Sequence, residues 1–272
     1  MLFSVLMSVY DRDDALFLEE ALESLYLQVR KAEQIVIVFD GPINDRLESV
    51  VELYKEKFLS SGILFKNVPL PKNVGLGLAL AEGCKHCDGK YIIRMDSDDI
   101  SLNNRFEFLE KFILENPNID VFGAQIEEFN YKIGDLGLQR QVPLTQAGIV
   151  KYAKSRNPFN HVTACIKRDA LEDVGGYEGV LWHEDYYLWL KMISNDKKMA
   201  NMSNVQVYVR VKGFGDRRGG ITYLKAELSF LKEATNLGVF NFFDSVLYLL
   251  PRVIVRLMPS YFVQKAYRVL RK

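Results

Sequence analysis

Apolar and polar residues come in alternating blocks along the first hundred positions of this chain. Residues 3–10, Phe-Ser-Val-Leu-Met-Ser-Val-Tyr, form a short β-prone run. Leu16, Leu18, Ala21, Leu22 and Leu25 follow at helical spacing after the charged start Asp11-Arg-Asp-Asp14. Residues 35–39 repeat the strand signal, stop at Asp40-Gly-Pro42, and lead into a helical pattern through Leu47, Val50, Val51, Tyr54 and Phe58. A third strand at 63–65, a turn at Asn73-Val-Gly-Leu-Gly77, a helix over 78–84 and a strand from Tyr91 continue the series. Strand and helix in turn predict an α/β fold, a mainly parallel sheet with helices on both faces. Beyond it the pattern predicts a helix over 105–115, a strand over 121–126, and an excursion across the sheet for 130–160. A strand at 164–166, a helix from Asp169 to Gly175-Gly176, a helix after His183 and a strand over 205–211 complete the sheet domain.

Past Gly213 the pattern changes to a glycine-flanked basic loop and then helices broken at Pro251 and Pro259. This divides the 272 residues into a domain over 1–215 and a helical extension over 216–272. The charge follows the same division. The formal net charge is zero, yet residues 1–196 hold 21 basic and 31 acidic side chains and residues 197–272 hold 14 and 4. After Asp244 no acidic residue appears, while Phe242, Phe243, Val246, Leu247 and Leu250 are interleaved with Arg252, Arg256, Lys265, Arg268, Arg271 and Lys272. Such a tail suits an anionic membrane surface. No apolar run approaches the ~20 residues needed to span a bilayer, so the chain is expected to lie on a membrane without crossing it. Cys84, Cys87 and Cys165 make neither a disulfide framework nor a convincing zinc site, and no leader precedes the first strand, so a cytoplasmic protein is expected.

The most informative chemistry lies at Tyr91-Ile-Ile-Arg-Met-Asp-Ser-Asp-Asp-Ile100, where an apolar strand empties into Asp96, Asp98 and Asp99. Ligands bind beyond the carboxyl ends of parallel strands. Carboxylate oxygens there are the hard ligands that Mn²⁺ or Mg²⁺ shares with phosphates. An Asp-rich turn capping the next helix is the plain alternative. Ser8, Tyr10, Asp40, Asn73 and Gly75 stand at other strand ends that converge on the same crevice, with Asp40 suited to accept a hydrogen bond from a base. His183-Glu184-Asp185 opens an amphipathic helix; acidic residues belong in a first turn for dipole reasons alone, but a carboxylate so placed also suits a general base.

Taken in order, residues 4–11, Val38-Phe-Asp-Gly-Pro42, Asn73-Val-Gly-Leu-Gly77, residues 91–99, Gly175-Gly-Tyr177 and Glu184-Asp185 resemble the motifs of family 2 glycosyltransferases with the Rossmann-like GT-A fold. The resemblance covers residues 3–215 and is strongest to bacterial enzymes that build O-antigen, capsule or exopolysaccharide, the amylovoran type. It implies inverting transfer of a hexose from a nucleotide diphosphate sugar, with UDP expected, to a glycan or a polyprenyl-diphosphate-linked sugar at the inner face of the cell membrane. Nucleic acid has no part in it. Asp185 then corresponds to the catalytic base, Asp98 to the principal metal ligand, and Asp96 to the first carboxylate of the Asp-x-Asp motif, near the ribose and the metal. Ser8, Tyr10, Asp40, Asn73, Gly75 and Ser97 fall in the donor site, and Arg217 and Arg218 are candidate clamps on the diphosphate. His161, His183 and Glu184 fall on the acceptor side. The chain departs from many relatives in carrying Val74, Leu78 and Ala81 where basic or amide side chains are common. Two alternatives remain at this level, a nucleotidyltransferase and a sugar- or lipid-binding protein that keeps the fold without turnover.

Overall fold

The computed structural model describes residues 2–211 and 221–257. Arg217, Arg218, Pro259 and the basic residues from Lys265 onward lie outside this range.

Each early strand is followed by a helix that folds back over the sheet. β1 (Phe3–Val9), β2 (Gln34–Phe39), β3 (Leu64–Pro69) and β4 (Tyr91–Arg94) alternate with α1 (Ala15–Tyr26), α2 (Asp45–Ser60) and α3 (Leu76–Cys84). All four strands are parallel and lie in the order β3-β2-β1-β4. Alternation along β1 and β2 feeds two cores. Val5, Met7, Val9, Ile35 and Ile37 pack beneath α1, α2 and α4 (Arg105–Glu115), while Leu6, Val36 and Val38 pack against α3 and α7 (Glu184–Ser194) on the other face. Helices on both faces are therefore as the sequence predicts.

The parallel character stops at β4. Beyond it come β8 (Cys165–Lys167), β6 (Val121–Phe129), β9 (Met199–Arg210) and the two-residue β5 (Ile100–Ser101), with β7 (Leu138–Arg140) paired to β6. Among these only β6 and β9 run parallel. The excursion expected over 130–160 contains β7, α5 (Gln146–Tyr152) and the loop into a 3₁₀ turn at His161–Thr163. A short helix, α6 (Arg168–Asp173), ends before Gly175-Gly176 as expected.

The C-terminal helices α8 (Ile221–Asn236) and α9 (Phe242–Leu257) pack on this domain through one apolar cluster. Tyr186, Tyr187 and Leu190 of α7 meet Phe230 and Ala234 of α8, Phe240, and Tyr248 of α9. The expected break at Pro251 is overturned, because α9 runs through it. A proline removes the hydrogen bond to the carbonyl four residues back; that residue, Leu247, is solvent-exposed, so water can satisfy its carbonyl. No helix among the described residues is long and apolar enough to cross a membrane.

Candidate active site

Parallel pairing sets the carboxyl ends of β1, β2 and β4 side by side, with Val9 opposite Phe39 and Leu6 opposite Arg94. The residues just beyond these strands therefore share one edge of the sheet. Ser8 and Tyr10 are half-buried at the end of β1. Asp40, beyond β2, is buried, and its two carboxylate oxygens accept the backbone N–H groups of Val74 at 2.6 Å and Gly75 at 3.1 Å. Asn73 is exposed and donates from its side chain to the Asp40 carbonyl at 3.2 Å. A Cβ at Gly41 would stand 2.6 Å from the Asn73 nitrogen, so only glycine, here at φ +87°, lets the two loops touch. Asp40 thus ties the turn after β2 to the start of α3, and only its remaining lone pairs are left for a ligand.

The Asp-x-Asp loop is anchored from three directions. Arg94, buried beneath it, pairs with Asp96 and also donates to the Leu6 carbonyl at 3.4 Å. Ser97 donates to Asp13 at 2.8 Å, and Asp13 also accepts the Tyr10 amide at 3.1 Å. Asp99 is buried and accepts the backbone N–H of Arg210 at 2.9 Å, while Arg210 Nε donates to the Asp98 carbonyl at 3.1 Å. Arg210 itself lies 3.9 Å over Phe17 and 4.6 Å over Phe129 and pairs with Glu20. These ties leave the Asp98 carboxylate exposed at the crevice. Crowding by protein atoms, then the Asp96 and Asp13 charges, push Asp98 up to about 7; solvent reaches the side chain, which screens part of that repulsion. Burial and the Asp96 charge push Asp13 up to about 6 against its hydrogen bonds.

This donor set consists of carboxylates whose mutual repulsion helps to raise Asp13 and Asp98, which suits a hard divalent cation. The described residues contain no preformed group of three or more metal-binding side chains. The arrangement fits an ion held by one or two carboxylates and completed by substrate phosphates.

Glu184 and Asp185 form the first turn of α7. Asn157 donates to Asp185 Oδ2 at 2.6 Å, and the Tyr186 amide donates to Oδ1 at 2.7 Å. Burial raises Asp185, and these two bonds oppose it. Glu184 has no such pair of bonds, and burial together with the Asp185 charge pushes it up to about 7. The two bonds fix the orientation of the Asp185 carboxylate. The Tyr177 hydroxyl feels the charges of both Asp185 and Asp96.

His161 meets the Tyr177 hydroxyl at 2.9 Å, and burial followed by the charge of Arg94 lowers its pKa well below the usual imidazole range. His183, expected among acceptor contacts, is buried; its ring nitrogens meet the Leu181 carbonyl and Glu227. The ring faces α8, stacked on Phe230. Beside it Trp182 adopts φ +61°, rare for an aromatic residue, and stacks its exposed indole on Tyr223 at 4.8 Å. Arg94, Asp13, Asn157 and Arg210 were not singled out from sequence. Only the charged turn Asp11-Arg-Asp-Asp14 gave a hint of Asp13.

A family model described as glycosyl transferase family 2 matches residues 4–175. An uncharacterized glycosyltransferase of Haemophilus influenzae is 40% identical over the full length of both chains. A UDP-Gal:alpha-D-GlcNAc-diphosphoundecaprenol beta-1,3-galactosyltransferase of Escherichia coli is 36% identical, over 96% of this chain and 93% of that protein. The amylovoran biosynthesis glycosyltransferase AmsE of Erwinia amylovora is 35% identical over the full length of both. Among solved structures, the S. aureus TarS 1-349 complex with UDP-GlcNAc superposes with a TM-score of 0.66 at 19% identity, covering 93% of this chain and 72% of that one. The Pyrobaculum calidifontis mannosyltransferase with GDP-Man and Mn²⁺ gives 0.60 at 16%, covering 98% and 79%. The fold is GT-A, and the chain belongs to glycosyl transferase family 2.

Proposed function

We propose that this enzyme transfers a hexose, with inversion, from a UDP-sugar to a sugar hydroxyl on a polyprenyl-diphosphate-linked acceptor during surface polysaccharide assembly. The observation that carries the reading is that Tyr177 feels carboxylates from two elements: Asp96, beside Asp98 on the strand-end loop, and Asp185 in the first turn of α7. The identity with the diphosphoundecaprenol galactosyltransferase and with the amylovoran enzyme supports the acceptor class.

In this reading Ser8, Tyr10, Asn73, Gly75 and Ser97 line the donor side, and Asp40 shapes it by fixing the Val74–Gly75 backbone. Asp98, with Asp96 beside it, would hold Mn²⁺ or Mg²⁺, whose positive charge stabilises the departing diphosphate. As the acceptor oxygen bonds to the anomeric carbon from the face opposite the nucleotide, the carbon–oxygen bond to the diphosphate breaks and the acceptor proton passes to Asp185. A carboxylate with an ordinary pKa near 4 cannot deprotonate a sugar hydroxyl in advance, so transfer accompanies attack. An α-linked donor then gives a β-linked product. Glu184 and Tyr177, beside the base, border the acceptor position, with His161 behind Tyr177.

We place the enzyme on the cytoplasmic face of the membrane, resting on α9. Phe242, Phe243, Leu247 and Leu250 are each more than half exposed there, with exposures of 76, 75, 72 and 58%. The sequence beyond them is basic. The expected partners are the donor, the lipid-linked acceptor and this surface.

The test is a panel of UDP- and GDP-sugars, with Mn²⁺ or with EDTA, against a synthetic lipid diphosphate sugar. Release of UDP only when the acceptor is present, and a β-linked product, support the proposal. Release of inorganic diphosphate from a nucleoside triphosphate would instead establish a nucleotidyltransferase, and donor binding without turnover under all conditions would establish a binding protein.

A further inference from the structure

We propose that the C-terminal helix pair completes the catalytic apparatus: Glu227 of α8, held in turn by Tyr248 and Arg252 of α9, is a positioning residue for His183 and, through it, for Asp185. The inference rests on the reading of Asp185 as the base.

His183 occupies the N-cap of α7, yet its side chain makes no bond to the helix end. It turns outward instead and is buried against α8, stacked on Phe230 at 4.7 Å and edge-on to Tyr223 at 6.1 Å. Nδ1 lies 3.2 Å from the Leu181 carbonyl and Nε2 lies 3.3 Å from Glu227 Oε2. Both ring nitrogens thus face acceptor oxygens, which fixes the orientation of the ring. Glu227 is 2% exposed. It accepts the Tyr248 hydroxyl at 2.6 Å and pairs with Arg252 Nε at 3.3 Å. Burial alone would raise its pKa, but His183, Tyr248 and Arg252 overcome that and hold the carboxyl down to about 2.

Helix packing does not require this arrangement. Phe230, Ala234 and Phe240 already seal α8 and α9 to α7 with apolar contacts, and a buried ionised group is a poor way to add stability. What the buried network does supply is a fixed ring at the N-cap of α7, one and two residues before Glu184 and Asp185. A ring held there fixes the backbone from which the first turn of the helix, and with it the Asp185 carboxylate, starts. Among the described residues, the titratable and charged groups around this ring are Glu184 and Asp185 from its own helix and Tyr223 and Glu227 from α8, with Tyr248 and Arg252 of α9 behind Glu227.

The experiment compares full-length Glu227→Gln, Glu227→Asp and Tyr248→Phe in steady-state transfer, with thermal midpoints alongside. Loss of the carboxylate releases the ring and lets the first turn of α7, with Asp185, drift from its position. Glu227→Gln is therefore expected to lower kcat tenfold or more and to leave the donor KM within twofold. Glu227→Asp should restore most of kcat. Tyr248→Phe, which removes one hydrogen bond and no charge, should lower kcat by less. A lower midpoint with wild-type kcat in Glu227→Gln overturns the inference. If that variant does not fold, wild-type kcat in Tyr248→Phe overturns it. Asp185→Asn is measured in parallel: turnover in that variant removes the base itself, whereas its inactivity together with wild-type kcat in the Glu227 variants removes only the link.

Discussion

Glu184 and Asp185 are neighbours in one helical turn, and their surroundings hold them differently. Two short hydrogen bonds orient the Asp185 carboxylate and oppose the effect of its burial, and no equivalent pair supports Glu184. Asp185→Asn should lower kcat by about 10²–10⁴, the usual range for a general base, while UDP binding measured by calorimetry stays near wild type. Turnover within tenfold of wild type would move the role elsewhere. At Asp98 the carboxylate is exposed and its neighbours are committed to Arg94, Ser97 or Arg210, so Asp98→Ala should abolish the Mn²⁺ requirement together with activity and leave the circular dichroism spectrum unchanged. Full activity of the wild type in EDTA would refute the metal assignment. The ionisable ends of this site were legible in sequence because each stands directly after an apolar strand or opens a helix. Asp13, Asn157 and Arg94 were not, since their work depends on contacts 84, 28 and 88 residues away that no local pattern records.

The elements that carry these residues were legible where hydrophobic periodicity was strong. β1, β2 and α1 to α4 follow the predicted runs within a few residues. β3 extends to Pro69 through alternately exposed positions that look like loop, and β9 begins at Met199, earlier than 205, because Asn201 buries its amide against the Pro143 and Pro158 carbonyls. β5 and β7, two and three residues long, are created by pairing alone. Two elements make testable statements. A Cβ at Gly77 of α3 would lie 2.5 Å from the Glu178 carbonyl and 2.8 Å from Glu184 Cβ, so Gly77→Ala must push α3 away from α7. A cost of about 1–3 kcal/mol is expected from such overpacking, read as a lower urea midpoint with reduced kcat; an unchanged midpoint would show that the helices yield freely. On α9, replacing both Phe242 and Phe243 by Ser removes aromatic surface worth roughly 1.5–3 kcal/mol per ring when buried. Affinity for anionic liposomes should fall at least tenfold with soluble-acceptor turnover retained, and equal binding would withdraw the membrane face.

Over the whole molecule, charge is the dominant theme. Asp13, Asp98 and Glu184 have folded pKa values raised to about 6, 7 and 7 against unfolded values near 4. Between those limits the folded protein holds more protons than the unfolded chain, so metal-free stability falls as pH rises from about 4 to about 7. Glu227, lowered to about 2, acts in the opposite sense. Its contribution is complete above about pH 4.3 and is lost as pH falls through about 2. The thermal midpoint in EDTA should therefore decline from pH 5 to pH 7.5, and Mn²⁺ should restore it increasingly over the same interval, as the carboxylates it binds lose their protons. A midpoint in EDTA that climbs with pH would contradict the site electrostatics. Gly77 has one more consequence at this scale. Because α3 and the start of α7 meet with no room for a methyl group, chimeras exchanging the C-terminal portion between relatives have to transplant the 178–184 segment together with a matching α3. A seam cut between them would join two halves whose spacing was set by different partners.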